Sequence, residues 1–172
     1  MEQHGDLIIR GITKRGHKLT IITTSHPSGI IYQEDNGVNI HYLPGLSPLR
    51  YTNTTWERFN EKFEELHKTR KFDIVLSQSI AAAGYLKKLK PKFNLPCVIF
   101  AHGTFINEIK TRFRSLGSFY SLLRLIAFVF LKFPYQQLKW FRYLNRADSI
   151  IAVSNQLKKD FARHFFVDES KI

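Results

Sequence analysis

Five short apolar runs recur along the chain, at Leu19–Thr23, Val38–Leu43, Ile74–Ser77, Val98–Ala101 and Ile150–Val153. Each is of strand length, and the stretches between them carry helical periodicity, so strand and helix alternate as they do in α/β folds with parallel sheets. Most of the runs are continuous rather than alternating, which suits strands covered on both faces. Val38–Leu43 (VNIHYL) alternates instead and reads as an edge strand. Asp6–Arg15 reads as a helix stopped by Lys14-Arg15 and Gly16. Thr54-Thr55-Trp56-Glu57 fits a capping box opening a helix with Trp56, Phe59, Phe63 and Leu66 on one face. Ala81–Leu89 reads as a helix closed by Pro91, and Asn155–His164 as the last helix. Loops are expected at Gly29-Ile30 and across Pro44–Thr54.

The fold class expected is therefore α/β, a Rossmann-like parallel sheet flanked by helices. At 172 residues the chain has room for one such domain with a real core. The chain opens inside its first helix, with no strand and no glycine turn before it. In a doubly wound sheet that strand is central and its glycine turn cradles phosphate, so the expectation is of a sheet whose first strand is missing. No G-x-G-x-x-G occurs anywhere, which removes the dinucleotide fingerprint.

The net charge of +12 is unevenly spread. Between Ile109 and Ala147 stand eight basic residues (Lys110, Arg112, Arg114, Arg124, Lys132, Lys139, Arg142 and Arg146) and no acid. Eleven aromatics crowd the span from Phe105 to Tyr143. Such a patch fits anionic lipid, nucleic acid or a phosphorylated substrate, and equally a helical pair whose aromatics belong to the core. Its most apolar part, Leu122–Leu131, contains Arg124 and ends at Lys132, too short and too charged to span a bilayer. One kinked helix, or two meeting near Pro134, is expected across Ser115–Arg146.

Several chemistries are unsupported by the residues. The seven histidines are scattered, with no His-x-x-x-His pair, and Cys97 is the only cysteine, so neither a metal site nor a disulfide framework is expected. Cys97 lies in an apolar run and reads as a small core residue. Ser79 and Ser154 follow strands, but neither lies in G-x-S-x-G. Glu57 and Glu65 read as part of a solvated acidic helix face with i, i+4 pairs such as Glu57–Glu61 and Glu64–Lys68. His102 stands apart because of where it falls. In open α/β sheets ligands bind beyond the carboxyl ends of the strands, and His102-Gly103 occupies that edge after Val98–Ala101. Gly103 would let a ligand or a backbone approach closely. Gln78 and Ser154 end the neighbouring runs, where each either lines the same rim or caps the following helix.

Six segments in order resemble family 4 glycosyltransferases. They are the opening "MEQHGDLII" leading to "KRGHKLTIIT", then "NGVNIHYLP", "FDIVLSQS", "LPCVIFAHGT", "ADSIIAVSNQLKKDF" and the closing "VDESKI". The resemblance implies the N-terminal, acceptor-side half of a GT-B enzyme, truncated at both ends. Residues 1–172 would then form a single Rossmann-like domain, with a basic aromatic helical insertion over 109–146 and the donor-binding C-terminal domain absent. It also implies sugar transfer from a nucleotide-sugar donor to a glycan or lipid-linked acceptor, with retention of configuration and no essential metal or cofactor. In such enzymes the histidine matching His102 contacts the donor sugar, and the leaving phosphate takes the acceptor proton, so no carboxylate dyad of the glycosidase kind is needed.

On the same resemblance Glu2, His4, Gly103, Thr104, Gln78, Asn107, Glu108 and Ser154 border the cleft. The patch of Lys110, Arg112, Arg114, Arg124, Lys132 and Lys139 would dock on anionic lipid at the inner face of a membrane, giving a cytoplasmic, peripheral protein. Catalysis is expected of the full-length hexosyltransferase and not of this piece alone. The alternatives are a basic nucleic-acid-binding module, for which no RNA-binding fingerprint is present, and another GT-B enzyme such as a sugar-nucleotide epimerase.

Overall fold

A computed structural model describes residues 2–48, 50–103 and 133–172. The chain divides into two compact units, Met1–Lys71 and Phe72–Ile172.

The first unit opens with helix α1 (Glu2–Lys14), which starts before the expected Asp6 and stops as anticipated. Gly16 adopts φ +81°, and its N–H reaches the Thr13 carbonyl at 2.9 Å, the left-handed exit that glycine provides without strain. Strand β1 (Leu19–Thr23) pairs in parallel with β3 (Val38–Tyr42), and β3 pairs antiparallel with β2 (Tyr32–Asp35), in the order β1-β3-β2. Val38–Leu43 is thus the middle strand and not the edge the alternation implied. The true edge, β2, reads YQED, too polar to register as a strand. It is recruited by Asn36-Gly37, with φ +49° and +78°, a pair suited to the mirror-image turn that matches strand twist. The Tyr32 hydroxyl donates to Asn39 Oδ1 at 2.8 Å and the Tyr42 hydroxyl to Gln33 Oε1 at 3.3 Å, tying the two strands together.

Helix α2 (Asn53–Thr69) has its capping box two residues earlier than expected, at Thr52 and Thr55. Thr55 N–H donates to Thr52 Oγ1, and Thr52 N–H to Thr55 Oγ1, each at 3.2 Å. The Thr55 hydroxyl also donates to the Arg50 carbonyl at 3.1 Å. The buried stripe is Trp56, Asn60, Phe63 and His67, rotated away from the expected Phe59 and Leu66.

In the second unit β4 (Val75–Gln78), β5 (Cys97–Ala101) and β6 (Ser149–Ala152) form a parallel sheet in the order β4-β5-β6. Ser77, Ile99 and Ile150 lie side by side on one buried face. On the opposite face Leu76 and Ile151 remain exposed, so the cover expected on both faces is one-sided at these outer strands. After β4 the chain runs through a wide π-type turn (Tyr85–Leu89) directly into α3 (Lys90–Phe93). Pro91 therefore does not close the helix at Leu89. It sits in α3 immediately after the wide turn, and the helical run passes through it. Asn94, at φ +52°, makes the stop instead. Helix α4 (Phe133–Arg146) carries Pro134 as its second residue, and residues 104–132, with the rest of the helical stretch expected over Ser115–Arg146, lie outside the described residues. Helix α5 (Asn155–Phe165) follows β6.

The amino ends of these strands are fastened by Asp148, which accepts from the Cys97 N–H at 2.7 Å and from the Lys90 ammonium. Burial pushes its carboxyl up, but the bonds from Lys90 and Cys97 and the charges of Lys90 and Lys171 outweigh it and hold the group below the ordinary carboxylate range. Cys97 is fully buried, and burial pushes its thiol up to about 12, as befits a core residue rather than a nucleophile. No described helix is long and apolar enough to cross a membrane.

Candidate functional site

The carboxyl ends of β4, β5 and β6 form one rim of the second unit, because all three strands run parallel. His102 follows β5 directly, and β5 is the middle strand, so the histidine leaves the sheet with a strand end on either side. Gln78 is the last residue of β4 and pairs in register with Phe100, placing it on the face that Phe100 and the following His102 share by alternation. Their side chains meet: His102 Nε2 and Gln78 Oε1 are 2.8 Å apart. A side-chain amide oxygen only accepts, so in this contact the imidazole nitrogen donates.

The turn behind Gln78 is braced. Ser79 adopts φ +55°, a left-handed conformation that is uncommon for a residue with a Cβ. Three bonds hold it: Ser79 N–H donates to the Phe100 carbonyl, the Ser77 hydroxyl to the Ser79 carbonyl, and Ala82 N–H to Ser77 Oγ, each at 2.9 Å. Ser77 is 1% exposed, so its hydroxyl is a buried polar group with both its capacities used. Sequence reasoning missed this brace. Its signal was present in Ser77-Gln78-Ser79, since paired serines at a strand end are turn formers.

Gln78 does not cap the following helix; its side chain goes to His102. Ser154 does cap: its Oγ accepts the Leu157 N–H at 3.2 Å at the start of α5. Gly103 is exposed, has no left-handed φ, and a Cβ there would meet nothing within 4 Å among the described residues. Neither backbone strain nor packing among those residues demands a glycine at that point. Thr104, Asn107, Glu108, Lys110, Arg112, Arg114, Arg124 and Lys132 lie outside the described residues, as do the side chains of Glu2, His4 and Lys139. Glu65 is engaged with Lys62 at 2.6 Å on an exposed face of α2, the solvated charge pairing its sequence context implied. Among the described residues no group of three or more His, Cys, Asp or Glu side chains is arranged to hold a metal ion.

The first unit has a rim of its own, at the carboxyl ends of β1 and β3. Ser25 knits the two exits: its hydroxyl donates to the Leu43 carbonyl and accepts the Leu46 N–H, both at 3.1 Å. His26 packs edge-on against Tyr42, and its Nδ1 accepts the Ser28 N–H at 3.1 Å. His26 was not singled out in the sequence, where nothing marks it beyond its place after a strand.

Over its entire length, residues 1–172, the chain matches the family model described as Glycosyltransferase Family 4. No curated protein matches it.

Proposed function

As the chain belongs to glycosyltransferase family 4, we propose that it is the acceptor-side half of an enzyme that moves a sugar from a nucleotide-sugar donor to a glycan or lipid-linked acceptor with retention of configuration. The observation that carries this reading is the ordered histidine at the sheet's carboxyl rim, bonded to the neighbouring strand end. His102 contacts the donor sugar beside the reacting carbon, Gly103 leaves room for that approach, and Ser154 serves the rim indirectly by capping α5. In this reading the donor's leaving phosphate takes the acceptor proton, so no pair of carboxylates is called on. Neither a metal nor a cofactor has a part in it. The basic segment from Lys110 to Lys139 draws the domain to an anionic membrane surface at which the acceptor resides.

The test is His102→Ala in the enzyme assembled with its donor-binding half. Transfer is expected to fall by about tenfold or more, equivalent to about 1.4 kcal/mol of transition-state stabilisation, with thermal unfolding unchanged. Near-normal turnover would overturn the role of His102.

A further inference from the structure

We propose that Leu138, Phe141 and Phe166 form an apolar anchor that enters the headgroup layer of an anionic lipid bilayer, helped by the basic side chains beside it. This rests on the reading of the domain as one that works at an anionic membrane, and adds a contact made by described residues.

Helix α4 buries Trp140, Tyr143 and Leu144, and an ordinary surface helix would keep its remaining face polar. Instead Leu138 and Phe141, one turn apart, are 50% and 37% exposed. Phe166 joins them from the end of α5. It is 78% exposed, and its ring meets that of Phe141 edge-on, with centroids 6.5 Å apart and planes at 78°. The backbone sharpens the oddity. Phe166 closes α5 with φ +49°, the left-handed cap that glycine fills without strain. A bulky aromatic there is strained and gains little burial in return. The junction is nonetheless fixed. Asn145 Nδ2 donates to the Phe141 carbonyl at 2.9 Å and to the Phe165 carbonyl at 3.3 Å, so one side chain ties α4 to the end of α5.

Charge selects the occupant. Arg142 and Arg146 on α4, and Lys159 and Arg163 on α5, are all exposed; Arg142 adjoins Phe141 and Arg163 lies one turn before Phe166. The acids that follow, Asp168 and Glu169, are also exposed, and Asp168 accepts the Ser170 N–H at 2.9 Å. Apolar side chains next to arginine and lysine suit an anionic headgroup layer, which takes the rings inward and pairs the cations with phosphate. A second copy would set this basic surface against its own charge. Three side chains also fall far short of the about 800 Å² that each partner buries in a stable protein complex. Single-stranded bases want flat faces, whereas these rings meet edge-on and Leu138 has no π face.

The test partitions the full chain onto vesicles of phosphatidylcholine with and without phosphatidylglycerol. The unaltered chain should prefer the anionic vesicles. Phe166→Gly removes the ring and the strain together, so its thermal midpoint should not fall while its partition drops about tenfold. Phe166→Trp should keep the partition, and brominated acyl chains should quench its fluorescence more strongly than that of the unaltered chain. Equal partition by Phe166→Gly and the unaltered chain, or no added quenching in Phe166→Trp, overturns the anchor. So does a loss of oligonucleotide binding or self-association in Phe166→Gly with vesicle partition intact. An unaltered chain that ignores anionic vesicles overturns membrane docking itself, so the two failures are told apart.

Discussion

Two histidines of the first unit carry a pH dependence that their neighbours explain. His41, on β3, is held below the ordinary imidazole value chiefly by burial, with Lys62 adding to the effect and Glu65 opposing it. His67, 6% exposed and stacked on Phe63 with ring centroids 5.4 Å apart, is lowered by burial and then by Lys71. A base whose folded value is depressed binds fewer protons in the folded state, so it contributes stability above the ordinary value of 6.5 that is lost as pH falls below it. The urea midpoint should therefore drop between about pH 7 and about pH 5, and His67→Leu should flatten that slope. An identical slope in the variant would refute the assignment. Asp148, whose value is also depressed, acts in the same direction but at lower pH, below the ordinary carboxyl value of 3.8. At this scale position was legible and partnership was not. The end of an apolar run located His102 and Ser154, and capping was foreseen for Ser154. The bond from Gln78 to His102 joins residues 24 apart in sequence, and only strand register brings them together.

Elements were read well where periodicity or a stop residue marks them and poorly where a partner decides. Helix α1 ends as Gly16 dictates, and β1 has the expected bounds. Strand β2 escaped notice because its residues are polar; Asn36-Gly37 was the available signal and should have outweighed alternation in Val38–Leu43. Pro91 misled in the opposite way, since the helical run passes through it after the wide turn and stops only at Asn94. The capping box of α2 was assigned to Thr54 and Glu57, but the reciprocal bonds run between Thr52 and Thr55. Thr52→Ala should cost the first unit about 1 kcal/mol in denaturant unfolding, with Thr52→Ser nearly neutral. A loss of the same size in Thr54→Ala, with none in Thr52→Ala, would restore the original assignment.

At the scale of the whole molecule, charge makes its own prediction. A net charge of +12, with eight basic residues and no acid between Ile109 and Ala147, should bring the protein to anionic vesicles in flotation experiments. Raising salt from about 0.1 M to about 1 M shortens the screening length from about 10 Å to about 3 Å and should release it. Protein that stays with the soluble fraction at low salt refutes membrane docking. Membership of the family was legible because its motifs are strand ends and the turns after them, which survive as short strings in a fixed order. The division into two compact units was not, since no run of linker residues announces it near Lys71. Strand order has a practical corollary in solution. Among the described residues β1, β2, β4 and β6 each pair with a strand on one side only, and β4 and β6 also carry the exposed Leu76 and Ile151. A strand with one open side accepts whichever strand it meets. In a concentrated sample the strand it meets is another copy's, so measurements repeated on dilution should agree unless the copies pair edge to edge.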